Sequence, residues 1–214
     1  MVLLLGAYAA FIIALLFAEL REKRSAQILL KPLAALGFLF LALNFGALDS
    51  SYGRLILGGL IACAFGDVFL LSRNRTSLFR LGMLAFAVGH VFYIFAANEI
   101  LRPDTSYLFI SLTTFLGLGT GVVTFWKLKP KLPRDMVWPV GLYTLIISAM
   151  LIRSMQTDMT GLHLLILPAA LLFAISDIFV ARDRFVTPSP KNAWVITPLY
   201  FGAQALFALS VLQA

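Results

Sequence analysis

Long runs of apolar residues, separated by short charged breaks, dominate this 214-residue chain. A helix needs about 20 mainly apolar residues to cross the hydrocarbon core of a bilayer. Eight such runs fit in the sequence and leave room only for short connections. The chain is therefore expected to form an all-α polytopic membrane bundle of eight transmembrane helices, a single domain over residues 1–214. The predicted spans are residues 2–20, 31–48, 54–72, 78–98, 106–126, 136–153, 161–181 and 192–212.

The composition excludes an ordinary soluble domain and a disulfide-rich secreted scaffold. Hydrophobic residues make up 61% of the chain and charged residues only 13%, whereas soluble domains are about 45–50% apolar and about 25% charged. The single cysteine, Cys63, excludes a disulfide within the chain and any cysteine-based zinc or iron–sulfur site. Since the chain has only two histidines, we expect no metal and no cofactor.

The basic residues are distributed unevenly between the two ends of the predicted bundle. Fourteen of the 17 lie in or beside the first, third, fifth and seventh loops, and the others are Arg54, Arg102 and Arg153. Positively charged loops stay in the cytoplasm, so both termini are expected outside. The expected location is a cell membrane, which is the inner membrane if the source is Gram-negative. Nucleic-acid binding is not expected despite a net charge of +7, because no basic stripe or binding module is present.

Two segments of the chain resemble each other at a separation of 110 residues. Residues 64–69 read AFGDVF, and residues 174–179 read AISDIF. Equivalent helices in the two halves would point the same way, which is the arrangement of a parallel four-plus-four repeat. Chance similarity between apolar segments is the other explanation, and the sequence leaves both open.

Asp67 and Asp177 lie well inside predicted spans, where an ionised group costs at least about 2.5–3.5 kcal/mol. Asp67 precedes Arg73 by six residues, and Asp177 precedes Arg182 by five. At 1.5 Å per helical residue, both carboxyl groups are expected about 8–9 Å below the first cytoplasmic arginine. Two different helices therefore deliver one carboxyl group each to a similar depth.

A pair of neighbouring carboxyl groups in an apolar site favours one protonated acid and one ionised base. That division is used in acid–base hydrolysis, and it makes Asp67 and Asp177 the candidate catalytic residues. The structural alternative is that each aspartate caps a helix or pairs with a basic residue such as Lys31 or Arg182.

Polar side chains in three other predicted spans are further candidates for the site. Lys31 is predicted at the cytoplasmic start of span 2, where it either binds a lipid phosphate or extends to the headgroup layer. The remaining candidates form two pairs one helical turn apart, and each either contacts substrate or only joins helices. The candidate substrate-binding residues are Lys31, His90, Tyr93, Tyr200 and Gln204.

Five motifs carry a resemblance to a known family through their order and spacing. They are Lys31-Pro32-Leu33, Gly66-Asp67, Gly89-His90 with Tyr93, Ser176-Asp177 with Asp183-Arg184-Phe185, and Tyr200 with Ala203-Gln204. Together they resemble the lysoplasmalogenase family of YhhN-like membrane proteins over essentially the whole chain. The resemblance implies hydrolysis of the vinyl ether of lysoplasmalogens, releasing a fatty aldehyde and glycerophosphoethanolamine or glycerophosphocholine. It also implies a lysophospholipid substrate drawn from the membrane lipids, and catalytic roles for Asp67 and Asp177.

A proton-coupled transporter is the alternative function, because paired acids in a repeated bundle also suit a carrier. The position of the acids distinguishes the two functions. A carrier places ionisable groups near the membrane midplane with access to both faces, whereas an enzyme needs a pocket open to one face or to lipid. No feature of the sequence indicates an oligomeric state.

Overall fold

The computed structural model describes residues 1–72, 75–103 and 105–213, apart from the side chain of Gln213. Eight helices in this part of the chain, some with a flanking turn, are long and apolar enough to cross a membrane, and the described residues form no strand. The predicted eight-helix membrane bundle is therefore confirmed. The helices are α1 (Val2–Leu20), α2 (Arg24–Asn44), α3 (Ser51–Leu70), α4 (Thr76–Glu99), α5 (Tyr107–Leu128), α6 (Val137–Met155), α7 (Ile166–Phe185) and α8 (Ala193–Leu209).

Helix α2 begins seven residues earlier than predicted, at Arg24. The side-chain amide of Gln27 donates to the Ala18 carbonyl at 3.1 Å, which ties the first turn of α2 to the end of α1. Lys31 and Pro32 consequently lie inside the helix and not at its start. Proline is tolerated inside membrane helices because neighbouring groups can satisfy the backbone that it leaves unpaired.

Close packing between α3 and α4 fixes the direction in which the first aspartate points. A methyl group added at Gly66 would meet the Phe86 ring at 2.8 Å, and one added at Gly89 would meet the Cys63 sulfur at 2.6 Å. Glycines that let two helices approach this closely are typical of membrane interfaces. Asp67, next to Gly66, therefore faces protein, and its side chain is only 2% exposed.

The helix contacts have a similar pattern in the two halves of the chain. Consecutive helices pack as the pairs α1–α2, α3–α4, α5–α6 and α7–α8. Between the halves, α2 packs against α8, and α4 packs against α6. These two contacts become equivalent if α5 to α8 repeat α1 to α4, so they favour the parallel repeat. The symmetry is incomplete, because α1 also packs against α8 and the corresponding contact of α5 with α4 is not among the extensive ones in the described residues.

Successive helices run in opposite directions, so the loops that follow α1, α3, α5 and α7 lie at one end of the bundle. We call this the basic end, because these loops and the adjoining helix ends carry most of the lysines and arginines. Arg73 was included in that prediction and lies outside the described residues. The cytoplasmic location of the basic end remains a prediction.

Candidate active site

A cavity of about 160 Å³ lies among α2 to α8 near the basic end, and both Asp67 and Asp177 line it. We call it the acid cavity. Most of its wall is apolar, with Phe79, Met83 and Leu151 among the lining side chains. The two carboxyl groups that the sequence places at a similar depth thus face one shared compartment.

Asp67 is held by a cation and a hydroxyl group. The Lys31 Nζ lies 3.7 Å from Asp67 Oδ1. The Tyr200 hydroxyl donates to Asp67 Oδ2 at 2.6 Å. Both contacts favour the ionised carboxylate, because it accepts a stronger hydrogen bond and attracts the ammonium group. The pairing with Lys31 that the sequence offered as a structural alternative is present in the structure.

A hydrogen-bond chain continues from Asp67 through α8 to α4. The Gln204 amide donates to the Tyr200 oxygen at 3.1 Å, and the Tyr93 hydroxyl donates to Gln204 Oε1 at 2.7 Å. The Tyr93 ring stacks on Phe207 with 3.9 Å between ring centroids. Neither Tyr93 nor Gln204 is among the described residues that line the acid cavity. Their contacts make them supports for Tyr200.

Asp177 has a different set of neighbours. The Tyr143 hydroxyl donates to Asp177 Oδ2 at 2.9 Å, and the His90 Nε2 lies 3.6 Å from the same oxygen. The His90 Nδ1 is 2.6 Å from the Phe86 carbonyl oxygen. Since a carbonyl oxygen can only accept, we assign the Nδ1 proton to that bond. The Nε2 atom of this fully buried histidine therefore faces Asp177.

The two acids differ in charge pairing. Among the described residues, Asp177 forms no ion pair with a lysine or arginine. Arg182, the partner considered from the sequence, lies over the Phe179 ring, with 5.8 Å from its guanidinium carbon to the centroid. Asp67 is thus paired with a full positive charge, whereas Asp177 faces a hydroxyl group and an imidazole.

A second cavity, which we call the polar cavity, adjoins the acid cavity at the basic end. Its volume is about 430 Å³. Its wall contains both acidic and basic side chains, namely Glu19, Glu22, Lys31, Asp183 and Arg184. The residues that line both cavities are Lys31, Leu70, Phe79, Val180 and Ile196.

Sequence reasoning missed two groups at this site. Tyr143 had no signal that distinguished it from the other aromatic residues of the predicted spans. Glu19 did have one, because it is an ionisable residue inside the first predicted span, where such residues are costly. In the structure, Glu19 Oε2 accepts a hydrogen bond from the Thr197 hydroxyl.

Comparisons with known proteins agree with the resemblance seen in the motifs. The sequence profile of the YhhN family matches residues 26–211. The chain belongs to the YhhN family. The human protein "Lysoplasmalogenase TMEM86B" is 35% identical over 168 residues, which cover 78% of this chain and 67% of that protein. The Bos taurus protein "Lysoplasmalogenase TMEM86A" is 32% identical over 204 residues, which cover 89% and 79% of the two chains. No solved structure matches this YhhN family chain.

Proposed function

We propose that this YhhN family protein is a lysoplasmalogenase. In this function, it hydrolyses the vinyl ether bond of a lysoplasmalogen and releases a fatty aldehyde and a glycerophospho-alcohol. The observation that carries the proposal is that Asp67 and Asp177, from two different helices, line one apolar cavity. The names of the related TMEM86 proteins support the same activity.

The chemistry of a vinyl ether requires an acid and a carboxylate. Protonation of the carbon β to the ether oxygen produces an oxocarbenium ion. Water adds to this cation and gives a hemiacetal, which then collapses to the aldehyde and the alcohol. Glycoside hydrolases stabilise a similar cation with two carboxyl groups. A positioned acid or base contributes about 10²–10⁴-fold to the rate of such a step.

The surroundings of the two acids suggest how they divide the work. In the proposed mechanism, Asp67 remains ionised beside Lys31, stabilises the oxocarbenium ion and takes a proton from the attacking water. Asp177 carries the proton that is transferred to carbon, because a neutral pair with His90 avoids burying two more charges in an apolar region. The single Lys31–Asp67 ion pair thus determines which acid donates.

The other predicted site residues act at different distances from the substrate in this proposal. Lys31 lies at the junction of the two cavities, where its ammonium group is placed to contact the lipid phosphate. Tyr200 lines the acid cavity and orients Asp67. His90 orients the proton of Asp177, and Tyr93 and Gln204 hold Tyr200 in place. Direct substrate contact by His90, Tyr93 and Gln204 remains a prediction.

The position of the acids favours an enzyme over a proton-coupled transporter. Asp67 lies three residues before the end of α3, and Asp177 lies eight residues before the end of α7. Both ends are at the basic end of the bundle, and so is the adjoining polar cavity. This one-sided arrangement suits a lipid whose headgroup stays at the interface while its vinyl ether enters the bundle. We place this multi-pass membrane protein in the cell membrane.

The test is aldehyde release by the purified protein in detergent. Lysoplasmenylethanolamine is the substrate, and an aldehyde dehydrogenase coupled to NADH formation provides the readout. We expect wild type to release aldehyde and the Asp67→Asn and Asp177→Asn variants to lose release while keeping the size-exclusion profile of wild type. Asp135→Asn is the matched control, because Asp135 is 60% exposed and pairs with Arg80 at the surface. Full activity in both buried variants would contradict the proposal.

A further inference from the structure

The polar cavity has the size and the position of a second binding compartment. Its volume of about 430 Å³ falls within the range of about 300–1,000 Å³ that is typical of small-molecule sites. It shares five lining residues with the acid cavity. A molecule whose reactive bond occupies the acid cavity would therefore place its adjoining part in the polar cavity.

The polar cavity carries charges of both signs at different places. Lys31, at the junction, is the basic residue common to both cavities. Glu19 lies in the last turn of α1 and Glu22 follows that helix, and both line the polar cavity but not the described wall of the acid cavity. Arg184 also lines the polar cavity, and its guanidinium carbon lies 4.7 Å from the centroid of the Phe79 ring, which borders both cavities. A purely anionic group would meet the two glutamates, and a purely cationic group would meet Lys31 and Arg184. The arrangement matches a zwitterion with its anionic group toward the acid cavity and its cationic group farther out.

The three carboxylates of the polar cavity are not equivalent. Asp183 Oδ1 accepts hydrogen bonds from the Ser189 backbone N–H at 2.9 Å and from the Asn192 side-chain amide at 2.6 Å, so it holds the loop between α7 and α8. Among the described contacts, Glu19 accepts one hydrogen bond, from the Thr197 hydroxyl through Oε2. Glu22 is exposed, in the connection between α1 and α2. Glu19 and Glu22 are therefore the carboxylates best placed for a bound cation.

We propose that the polar cavity binds the zwitterionic phosphoamine headgroup of a lysophospholipid. In this arrangement, Lys31 binds the phosphate, and the carboxylates of Glu19 and Glu22 bind the ammonium group. The proposal rests on the proposed function, since the vinyl ether in the acid cavity is joined to the phosphate through the glycerol of the same molecule. It also predicts that the protein distinguishes a headgroup with an amine from a phosphate alone.

Binding of two unreactive lipids tests this proposal without requiring catalysis. The probes are a 1-O-alkyl lysophosphatidylethanolamine and a 1-O-alkyl glycerol-3-phosphate with the same saturated chain, which have no vinyl ether. We expect wild type in detergent to bind the ethanolamine lipid about tenfold more tightly, as one charge-assisted contact would give. The Glu19→Gln/Glu22→Gln variant should lose this preference. Its affinity for the phosphate lipid should stay the same or increase, because a repulsion is removed.

Two further variants keep the result interpretable. Glu99→Gln, at the opposite end of the bundle, should retain the preference of wild type. The single Glu22→Gln variant changes only an exposed side chain, so a reduced preference there supports the site even if the double variant folds poorly. A double variant that still binds the phosphate lipid and keeps the full preference would overturn the proposal, as would a wild-type protein without any preference.

The outcomes distinguish a failure of the headgroup site from a failure of the proposed hydrolase activity. Selective binding without aldehyde release from lysoplasmenylethanolamine would contradict the hydrolase activity and leave the headgroup site standing. Aldehyde release with equal KM values for vinyl ether lipids with and without the amine would support the activity and overturn the headgroup site.

Discussion

Asp67 and Asp177 lie on the third helix of each half of the chain, in segments that resemble each other. Each accepts a hydrogen bond from a tyrosine, Tyr200 for Asp67 and Tyr143 for Asp177. One neighbour of each acid comes from the fourth helix of the opposite half, namely Tyr200 on α8 for Asp67 and His90 on α4 for Asp177. The difference is the remaining neighbour of each acid, which is the Lys31 ammonium at Asp67 and an imidazole at Asp177.

This difference explains how two carboxyl groups in one cavity can serve as an acid and a base. A nearby cation favours the ionised form of a buried carboxyl group, whereas an apolar region without a cation favours the neutral form. A repeat of the helices would place the two carboxyl groups symmetrically. In our proposal, the Lys31 ammonium at one acid and the His90 imidazole at the other break this symmetry and leave the proton on Asp177.

Substitution of Asp177, the acid that has no lysine or arginine beside it, should have the largest effect on catalysis. Asp177→Asn eliminates the proton donor, and we expect kcat to fall by about 10²–10⁴-fold. The apparent unfolding temperature should change little, because asparagine can still accept the Tyr143 hydrogen bond and no charge loses its partner. Asp67→Asn should lower that temperature by several degrees, since it leaves Lys31 without its partner. Equal unfolding temperatures for the two variants, measured in the same detergent, would contradict the comparison.

Removal of the cation should make the two acids more alike. Lys31→Met deprives Asp67 of its ion pair, so we expect kcat for aldehyde release to fall by about 10- to 100-fold, as the loss of one charge-assisted interaction predicts. Lys127→Met is the matched control, because Lys127 is exposed at the basic end and lines neither cavity. A kcat equal to that of wild type would show that the ion pair has no part in the mechanism.

The two tyrosines should respond unequally. Tyr200→Phe removes a hydrogen bond to an ionised carboxylate, whereas Tyr143→Phe removes one to a neutral acid. Hydrogen bonds to charged groups are the stronger class. We expect kcat/KM to fall by about 10-fold or more for Tyr200→Phe and by about 2- to 5-fold for Tyr143→Phe. A larger loss for Tyr143→Phe than for Tyr200→Phe would indicate that Asp177, and not Asp67, is the ionised acid, and would contradict our account.

The smallest effect should come from substitution of Gln204, which positions Tyr200. Gln204→Leu removes the amide that donates to the Tyr200 oxygen, so kcat should fall by about 2- to 5-fold, within the range of one neutral hydrogen bond. KM should remain unchanged, because Gln204 is absent from the described wall of the acid cavity. A KM that rises while kcat is constant would indicate direct substrate contact.

Much of the fold could be predicted because hydropathy alone specifies spanning helices. The eight spans and the cost of Asp67 and Asp177 in lipid follow from the sequence without knowledge of the packing. The partners of the acids do not, because they depend on how each helix is rotated about its axis. In apolar spans, such as the one that carries Tyr143, little in the sequence pattern reveals that rotation.

The start of α2 and the polar cavity were missed for a related reason. The first turn of α2 is polar and is held by the tertiary hydrogen bond of Gln27 to Ala18, which no hydropathy pattern contains. The polar cavity forms where α1, α3 and α7 end and α8 begins. Glu19 and Glu22 lie at the edge of the first predicted span, and only the folded chain brings them into one cavity wall with Lys31.

The infrared spectrum of the purified protein tests the division of roles most directly. A protonated carboxyl group has a carbonyl stretch that is distinct from the bands of carboxylates and that shifts on exchange into heavy water. At neutral pH, we predict this band in wild type and in Asp67→Asn, and its absence in Asp177→Asn. A band that disappears in Asp67→Asn and persists in Asp177→Asn would contradict the account.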